Sequence, residues 1–267
     1  MSERPLRLFA WNILHGGGPR RTPEIALAIL AHAPDLVVLS EFRAGRGGQI
    51  RAMLADAGLH HQIATDSPPT NNGMLVASRS PLEPCPPRAS LPGSRGRFIE
   101  CLVPELGFRL AGVHVPDDTD LVAKQRYWHF LIAYARAHAD EPCLVVGDFN
   151  MGRRGQDDNG RGFACESLLG TFTSLGFCDA WRHHHPDERL YTWFHHDGTG
   201  ARIDGAYTSR TLLPRVQSVE YSTLERDQAL SDHAAMVLDL VCKDTPSNES
   251  SRRANHARGG LFGGESR

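Results

Sequence analysis

At least nine short runs of apolar and β-branched residues, separated by turn residues, divide this sequence. They lie at residues 6–13, 36–40, 74–78, 98–103, 108–115, 144–147, 203–208, 216–221 and 234–241. Each run has the length of a β-strand, and stretches with helical spacing lie between some of them. Strands interspersed with helices predict an α/β sandwich, in which sheets pack on each other and carry helices on the outside.

Three stretches have the spacing of amphipathic helices. The first is predicted to begin with Thr22 as the N-cap and Pro23 at the first helical position, and to end before Pro34. The other two cover residues 120–139 and 165–175, where apolar side chains recur every three or four residues.

The composition predicts one folded domain followed by a polar tail. Of 267 residues, 40% are hydrophobic, so the chain can bury a sizeable core, and we expect one domain over residues 1–242. Residues 243–267 are rich in Ser, Gly, Arg and Asn and are predicted to be disordered. No apolar run reaches the length of a membrane span or a signal-peptide core, and none suggests a dimer interface, so we expect a cytoplasmic monomer without a membrane partner. Because the net charge is −2, any nucleic-acid site must be local.

Polar residues interrupt or follow several predicted strands, at positions where a hydrophobic core has no use for them. Singly, each has an ordinary interpretation as a turn residue, a helix cap or a satisfied histidine. If the strand ends converge, they form one oxygen-rich set: Asn12, Glu41, His114, Asp148, Asn150, Asp204, Asp232 and His233. Four carboxylates in one place repel each other without a cation, and oxygen ligands without a thiolate favour Mg²⁺ or Mn²⁺.

These groups match the chemistry of phosphoester hydrolysis. A phosphodiester is anionic and resists attack, so its hydrolysis needs an activated water, neutralised phosphate oxygens and a stabilised leaving alkoxide. Aspartate, histidine and Mg²⁺ supply these three functions.

Six short motifs also occur in a fixed order: Trp11-Asn12, Ser40-Glu41, His114-Val115-Pro116, Gly147-Asp148-Phe149-Asn150, Arg202-Ile203-Asp204 and Ser231-Asp232-His233. In this order they make residues 6–240 resemble the endonuclease/exonuclease/phosphatase superfamily. The resemblance implies a four-layer α/β/β/α sandwich of two facing mixed sheets, with the site where the sheet edges meet at one end.

Within the superfamily, the segments Tyr191-Thr192-Trp193-Phe194 and Asp179-Ala180-Trp181-Arg182 are similar to the exonuclease III and apurinic endonuclease branch, in which aromatic residues line the abasic-sugar pocket. Two features depart from that branch. His114 stands where the branch usually has tyrosine, as in the pancreatic deoxyribonuclease, sphingomyelinase and inositol-phosphatase branches. The segment between Asn150 and Trp181 is short for a protein with loops that clasp DNA. These departures leave the substrate open.

The resemblance also implies roles for the polar set. For the metal, Glu41 would be the principal ligand, with Asn12 beside it and Asp232 on or near the ion.

For the reaction itself, Asp148 would manage the proton of the attacking water or leaving oxygen, and Asn150 would orient it. His233 would contact the scissile phosphate, with its tautomer fixed by Asp204, and His114 would contact the phosphate from another side.

Three further residues are weaker candidates for binding substrate. Asn72 can donate to a phosphate, but Asn72-Gly73 is also an ordinary turn signal, and the turn is favoured. Arg97 either reaches a phosphate or is an exposed charge at a strand end. Trp193 is a platform for a base or sugar, or it fills the core, and the resemblance favours the platform. The histidine runs at 183–185 and 195–196 predict solvated loops rather than a metal site.

The leading hypothesis is a phosphodiesterase dependent on Mg²⁺ or Mn²⁺ that cleaves nucleic acid, DNA rather than RNA, in the manner of exonuclease III or an abasic-site endonuclease. The alternative is the same chemistry on a small or lipid phosphoester. A non-catalytic binding module is the third possibility, and it requires a lost catalytic group, which the sequence does not show. The first hypothesis predicts a basic groove around the carboxylates, and its absence favours the second. The arginines available for such a groove are Arg43, Arg46, Arg97, Arg153 and Arg154.

Overall fold

Two six-stranded mixed sheets lie face to face, with helices on the outer face of each, in a computed structural model that describes residues 5–86, 95–160 and 162–241. The four-layer α/β/β/α sandwich predicted from the sequence is therefore confirmed. The predicted tail at residues 243–267 lies outside the described residues. Within the described part of the chain, no helix is both long enough and apolar enough to span a membrane.

The strands and helices have the following bounds. The strands are β1 (Leu6–Asn12), β2 (Leu36–Phe42), β3 (His61–Ala64), β4 (Gly73–Ser78), β5 (Glu83–Pro84), β6 (Phe98–Val103), β7 (Phe108–His114), β8 (Cys143–Asp148), β9 (Phe177–Asp179), β10 (Trp193–Phe194), β11 (Gly200–Ala201), β12 (Asp204–Ser209), β13 (Val216–Ser222) and β14 (Ala235–Leu240). The α-helices are α1 (Gly18–Ala31), α2 (Gly48–Asp56), α3 (Leu121–His138), α4 (Glu166–Ser174), α5 (Ala180–His184) and α6 (Leu224–Asp227).

The strand order brings particular strand ends together. The first sheet has the order β13-β14-β1-β2-β4-β3 and the second has β5-β6-β7-β8-β12-β9, while β10 and β11 form a separate two-stranded ribbon. Most neighbouring strands are antiparallel, but β1 runs parallel to β2 and β7 runs parallel to β8. In each sheet, the carboxyl ends of two central strands therefore lie side by side.

The central strands are apolar on both faces because helices cover the side that does not face the other sheet. Along β1, Leu8 belongs to the core between the sheets, whereas Phe9 packs with Ile29 of α1 in the outer layer. The outer layer of the second sheet is built in the same way, from Trp128 of α3 and Phe172 of α4. This double covering explains why the strands could be recognised as nearly continuous apolar runs.

The helix predictions are confirmed in outline and wrong at one boundary. Asp120 caps α3, its carboxylate accepting from the Ala123 amide at 3.0 Å, and α4 also lies within its predicted segment. The first helix ends before Pro34 as expected, but it begins at Gly18 rather than after Thr22. The Thr22 hydroxyl does not cap the helix, because it donates to the Gly18 carbonyl at 2.6 Å inside the first turn.

Several short elements escaped prediction because their sequences lack a clear period. The strand β3 lies at the edge of its sheet and is only partly buried, and α2 buries only Ile50 and Leu54. The expected solvated loop at residues 183–185 is also wrong, because His183 and His184 belong to α5 and the His185 ring stacks on Trp181 with ring centres 5.0 Å apart.

Candidate active site

The polar strand ends of the two sheets converge on one cleft of about 470 Å³. Three pairs of facing residues on neighbouring strands bring the polar side chains together. Asn12 lies opposite Ser40, and Asp148 lies opposite both His114 and Asp204. Of the eight residues in the oxygen-rich set, six line the cleft directly: Glu41, His114, Asp148, Asn150, Asp232 and His233. Asn12 and Asp204 lie behind this layer and contact it through hydrogen bonds.

Gly147 allows two of these strands to approach closely. Its φ of +138° is a conformation that other residues rarely adopt, and a Cβ atom there would lie 2.1 Å from the Val113 carbonyl oxygen. Because no side chain intervenes, β8 lies against β7 with Asp148 beside His114. The glycine of the Gly147-Asp148-Phe149-Asn150 motif is thus required by the strand pairing.

Asn12 joins the carboxylates of the two sheets. Its single amide nitrogen donates to Glu41 Oε1 at 3.2 Å and to Asp148 Oδ2 at 3.1 Å, and the side chain is buried. The His114 Nε2 atom lies 3.8 Å from each of the same two oxygens. Two carboxylates and an imidazole from three strands therefore surround one point.

Glu41 reaches this point because β2 is irregular where it ends. The register with β4 shifts between Ser40 and Phe42, and Glu41 itself has a φ of +58°. A bulge of this kind turns one side chain away from the ordinary alternation of a strand. The backbone therefore determines that the Glu41 side chain points into the cleft.

Buried charges hold the pKa of Asp148 high. Complete burial and the charge of Asp204 raise the pKa of Asp148 to about 7, although hydrogen bonds from the Asn150 amide and from Asn12 lower it. The Asn150 amide donates to Asp148 Oδ1 at 2.9 Å. The side chain of Asn150 instead donates to the Val115 carbonyl at 2.8 Å, so the orientation of Asp148 is set by the main chain of Asn150.

His233 and Asp204 form the predicted pair. Nδ1 of His233 lies 2.8 Å from Asp204 Oδ2, and both side chains are buried. Burial alone would lower the pKa of His233, but the charge and hydrogen bond of Asp204, with the charges of Asp148 and Asp232, raise it to about 10. His114 has no such partner, so burial and nearby positive groups hold its pKa well below the ordinary value. The imidazoles of His233 and His114 therefore carry different charges at neutral pH.

Asp232 and Trp193 meet at the opposite wall. The Trp193 indole donates to Asp232 Oδ2 at 3.0 Å, and His233 Nε2 lies 4.0 Å from Asp232 Oδ1. Asp232 Oδ1 is buried and has no hydrogen-bond partner among the described residues. A buried carboxylate oxygen without a donor is a candidate ligand atom for a cation.

Two sets of residues are candidates to hold a divalent cation. Asn12, Glu41 and Asp232 are the ligands expected from the sequence, and that assignment remains a prediction. The Asn12 side chain presents its nitrogen to Glu41, and its Oδ1 accepts from the Leu14 amide at 3.1 Å. Within the described part of the chain, Asp148, Asp204 and His233 offer ligand atoms that all lie within 4.8 Å of one another. Since Asp204 and His233 already bond each other, the second set would have to give up that bond to hold an ion.

His15 is a cleft residue that sequence reasoning missed. Its amide donates to Glu41 Oε2 at 2.7 Å, and its Nδ1 atom lies 2.6 Å from the same oxygen. Leu14 and His15 both have positive φ angles, so the chain turns back toward Glu41 directly after β1. The only available signal was a histidine placed between a strand end and the glycine run that begins at Gly16.

The three predicted substrate-binding residues are placed differently. Trp193 lines the cleft. Asn72 lies beside it, accepting from Arg43 Nε at 2.7 Å and contacting His15 Nδ1 at 3.2 Å. Arg97 is turned to the main chain, where it donates to the His114 carbonyl at 3.4 Å.

The lining of the cleft carries histidines and carboxylates rather than arginine or lysine side chains. Among the described residues, no arginine or lysine lines it, and Asp117, Asp118 and Asp158 add to the carboxylates of Glu41, Asp148 and Asp232. The five arginines considered for a basic groove are thus not part of the wall. His195, expected in a solvated loop, is partly buried and does line the cleft.

Comparisons with known proteins agree on family and fold. The Endonuclease/Exonuclease/phosphatase family matches residues 9–233. An AP endonuclease from Archaeoglobus fulgidus is 21% identical, with a TM-score of 0.74, and the match covers 88% of this chain and 99% of that one. The 3′ phosphatase NExo from Neisseria, bound to a product DNA hairpin, is 23% identical with a TM-score of 0.75 and the same coverage. The 3′-5′ exonuclease NExo from Neisseria meningitidis is 23% identical with a TM-score of 0.73, again over 88% and 99%. No curated protein sequence matches the chain.

Proposed function

The chain belongs to the endonuclease/exonuclease/phosphatase family, and on that premise we propose that it is a divalent-metal-dependent hydrolase that cleaves phosphodiester bonds in nucleic acid. One observation carries the proposal: Asp148 lies 3.1 Å from the Asn12 amide, 3.8 Å from His114 and within 4.8 Å of the bonded pair of Asp204 and His233. A general base, a neutral imidazole and a charged imidazole are thereby presented to one cleft.

Asp148 is the proposed acid/base. With a pKa of about 7, it can accept a proton from water and release it again near neutral pH, which is the property that general acid/base catalysis requires. Asn12 and the Asn150 amide hold its two oxygens from different sides. Its carboxylate is therefore fixed before substrate enters.

The two imidazoles are proposed to bind the phosphate. Because Asp204 accepts from Nδ1 of His233, the other ring nitrogen is directed to the cleft, and the raised pKa keeps the ring positively charged. His114 stays neutral and would contact a different phosphate oxygen through a hydrogen bond. Together the two rings would offer the phosphate one positive charge and hydrogen bonds to two of its oxygens.

The residues also fit a resident cation. We assign Glu41 and Asp232 to Mg²⁺ or Mn²⁺, with Asn12 beside them, because carboxylate oxygens are hard ligands and Asp232 Oδ1 has no donor among the described residues. The Asn12 oxygen would have to release the Leu14 amide, from which it accepts at 3.1 Å, before it could bind the ion. When bound, the ion would neutralise phosphate oxygens and stabilise the leaving alkoxide.

DNA is the proposed substrate. Solved structures with this fold are named as an AP endonuclease, a 3′ phosphatase bound to a DNA hairpin and a 3′-5′ exonuclease. The Trp193 indole on the cleft wall can stack on a base or a sugar. If a lesion is recognised, the activity belongs to DNA repair.

A second candidate keeps the chemistry and changes the substrate. The acidic lining, which holds no described arginine or lysine, favours a small or lipid phosphoester over a long polyanion.

Hydrolysis of two labelled duplexes, one with a single abasic site and one undamaged, tests the proposal, each with Mg²⁺, Mn²⁺ or EDTA. The catalytic blank is Asp148→Asn, and Asp56→Asn on the exposed face of α2 is the matched control. Metal-dependent cleavage that is lost only in Asp148→Asn supports a nuclease, and the ratio between duplexes reports lesion preference. Cleavage of bis-p-nitrophenyl phosphate alone would favour the second candidate. No metal-dependent hydrolysis of any substrate would overturn both.

A further inference from the structure

Lys124 is a buried lysine that does not itself line the cleft. It lies in the first turn of α3, its side chain is 1% exposed, and it is the one lysine among the described residues. Its ammonium group donates to a carboxylate oxygen of Asp118 and to the carbonyl oxygen of Asn150 at 2.6 Å. The two partners belong to different segments of the cleft wall.

A buried charge of this kind requires its partners. Removing an ammonium group from water costs several kcal/mol in real proteins, and only good geometry with hydrogen bonds to charged or polar groups offsets that cost. Asp118 supplies the opposite charge and the Asn150 carbonyl supplies a dipole. The lysine therefore holds both groups at fixed positions.

Asp118 belongs to a short turn, residues 117–119, which we call the acidic lip. Asp117 Oδ1 accepts from the Thr119 amide at 2.9 Å and from the Thr119 hydroxyl, which closes the turn. The following residue, Asp120, caps α3. All three residues of the acidic lip are exposed, and all three line the cleft. The ion pair to Lys124 ties this exposed turn to the interior.

The other contact of Lys124 reaches the catalytic strand end. Asn150 has a φ of +45°, its amide donates to Asp148, and its side chain donates to the Val115 carbonyl. The Lys124 ammonium group binds the carbonyl of this same residue. One side chain therefore connects the general base to the wall that substrate must pass.

We propose that Lys124 is a positioning residue that fixes the acidic lip against Asn150 and thereby sets how tightly the cleft encloses a phosphoester. It acts on specificity through Asp118 and on the rate through Asn150. The kinetic part rests on the proposed function, whereas the position of the lip does not.

Two variants separate the contacts. Asp118→Asn removes the charge partner on the exposed side and leaves the bond to Asn150, so KM for bis-p-nitrophenyl phosphate is expected to rise about fivefold while kcat changes less than about twofold. Lys124→Met removes both contacts, so KM rises equally and kcat falls about tenfold. The double variant should match Lys124→Met, since the residues act through one contact. Arg126→Met, on the exposed side of the same helix, is the matched control.

Hydrogen exchange of the amides at residues 117–119, measured without substrate, gives a readout independent of activity. Faster exchange at residues 117–119 in both variants, with exchange in the distant strands β13 and β14 unchanged, supports the proposal. Unchanged exchange together with unchanged KM in Asp118→Asn would overturn it, even if Lys124→Met does not fold. If wild-type protein hydrolyses nothing, the proposed function fails while the exchange experiment still tests the lip.

Discussion

At the scale of single residues, local charge decides what each imidazole of the cleft can do. His233 and His114 are both buried, and burial lowers the pKa of each. Only His233 has a carboxylate on its Nδ1 atom, and that partner reverses the direction of the shift. Two chemically identical side chains thereby acquire different charges, which suit the proposed roles of a charged and a neutral phosphate contact.

His15 is expected to position Glu41 for the metal. In His15→Ala the amide at position 15 still donates to Glu41 Oε2, but the imidazole contact at 2.6 Å is lost. We expect Mn²⁺ affinity to fall about tenfold, as for residues that orient a ligand without touching the ion. Titration calorimetry without substrate measures this directly. The exposed His60→Ala variant is the control, and equal affinity in all three proteins would contradict the assignment.

His185 is expected to make stability depend on pH. Burial lowers the pKa of His185, but its bonds to the Glu188 carboxylate and the Val219 carbonyl raise it above the ordinary value. Because the folded pKa exceeds the unfolded one, the stabilisation is complete below the unfolded pKa of about 6.5 and is lost as pH rises through the folded pKa. His185→Gln should therefore lose more stability at about pH 5.5 than at about pH 9.

Urea unfolding at the two pH values measures the His185 effect, with His129→Gln on the exposed side of α3 for comparison. A loss of stability that is the same at both pH values would assign His185 a packing role on Trp181 alone.

The polar strand ends of the candidate site could be predicted because each belongs to a recognisable run and the order of the motifs is informative. The position of His15 could not be predicted, because it depends on left-handed backbone conformations at both Leu14 and His15. The glycine run that follows only suggests such conformations. Lys124 was equally hidden, because helical spacing cannot show that a lysine points inward to a carbonyl in a distant segment.

At the scale of elements, a network of buried ion pairs links three segments of the chain. Arg202 donates from Nε to Asp157 Oδ1 at 2.9 Å and from Nη2 to Asp179 Oδ2 at 2.5 Å, and its guanidinium lies 4.9 Å from the centre of the Trp181 ring. The arginine of the Arg202-Ile203-Asp204 motif is therefore structural. It links the start of β12 to β9 and to the loop after β8.

Arg202→Met is expected to destabilise the fold by about 3–5 kcal/mol, because it leaves the buried carboxylate of Asp179 without its cation, while Asp157 keeps Arg182 at 2.8 Å. The free energy of unfolding in urea measures the loss. Arg153→Met provides the comparison, since that side chain is exposed, and its effect should stay within about 0.5 kcal/mol. A loss below about 1 kcal/mol in Arg202→Met would show that other residues stabilise Asp157 and Asp179.

Strand prediction succeeded for the strands of six or seven residues, including β13 at a sheet edge, and failed for those of two to four residues. The run at residues 98–103 coincides with β6, and the central strands differ from prediction by a residue or two at their ends. The ribbon of β10 and β11 has only two residues in each strand, and its position depends on contacts such as the Trp193 indole on Asp232. A pattern along the chain cannot report such a contact, because it joins segments far apart in sequence.

At the scale of the whole molecule, the balance of charge around the cleft bears on the choice of substrate. The net charge is −2, and the acidic lip stands at the entrance with no arginine or lysine among the described lining residues. A duplex bound through many phosphates releases many counterions, so log(kcat/KM) falls steeply with log of the salt concentration. Here we expect few phosphate contacts beside the scissile one.

For cleavage of an abasic duplex, the slope of log(kcat/KM) against log of salt concentration should therefore be shallower than about −2, since each neutralised phosphate contributes about −0.9. Bis-p-nitrophenyl phosphate, with one charge and no neighbours, sets the baseline slope for the same site. In Asp118→Asn the duplex slope should be unchanged, because removing one lip carboxylate adds no cation. A duplex slope of about −4 or steeper would reveal a basic surface outside the described cleft lining, and would then favour nucleic acid strongly over a small phosphoester.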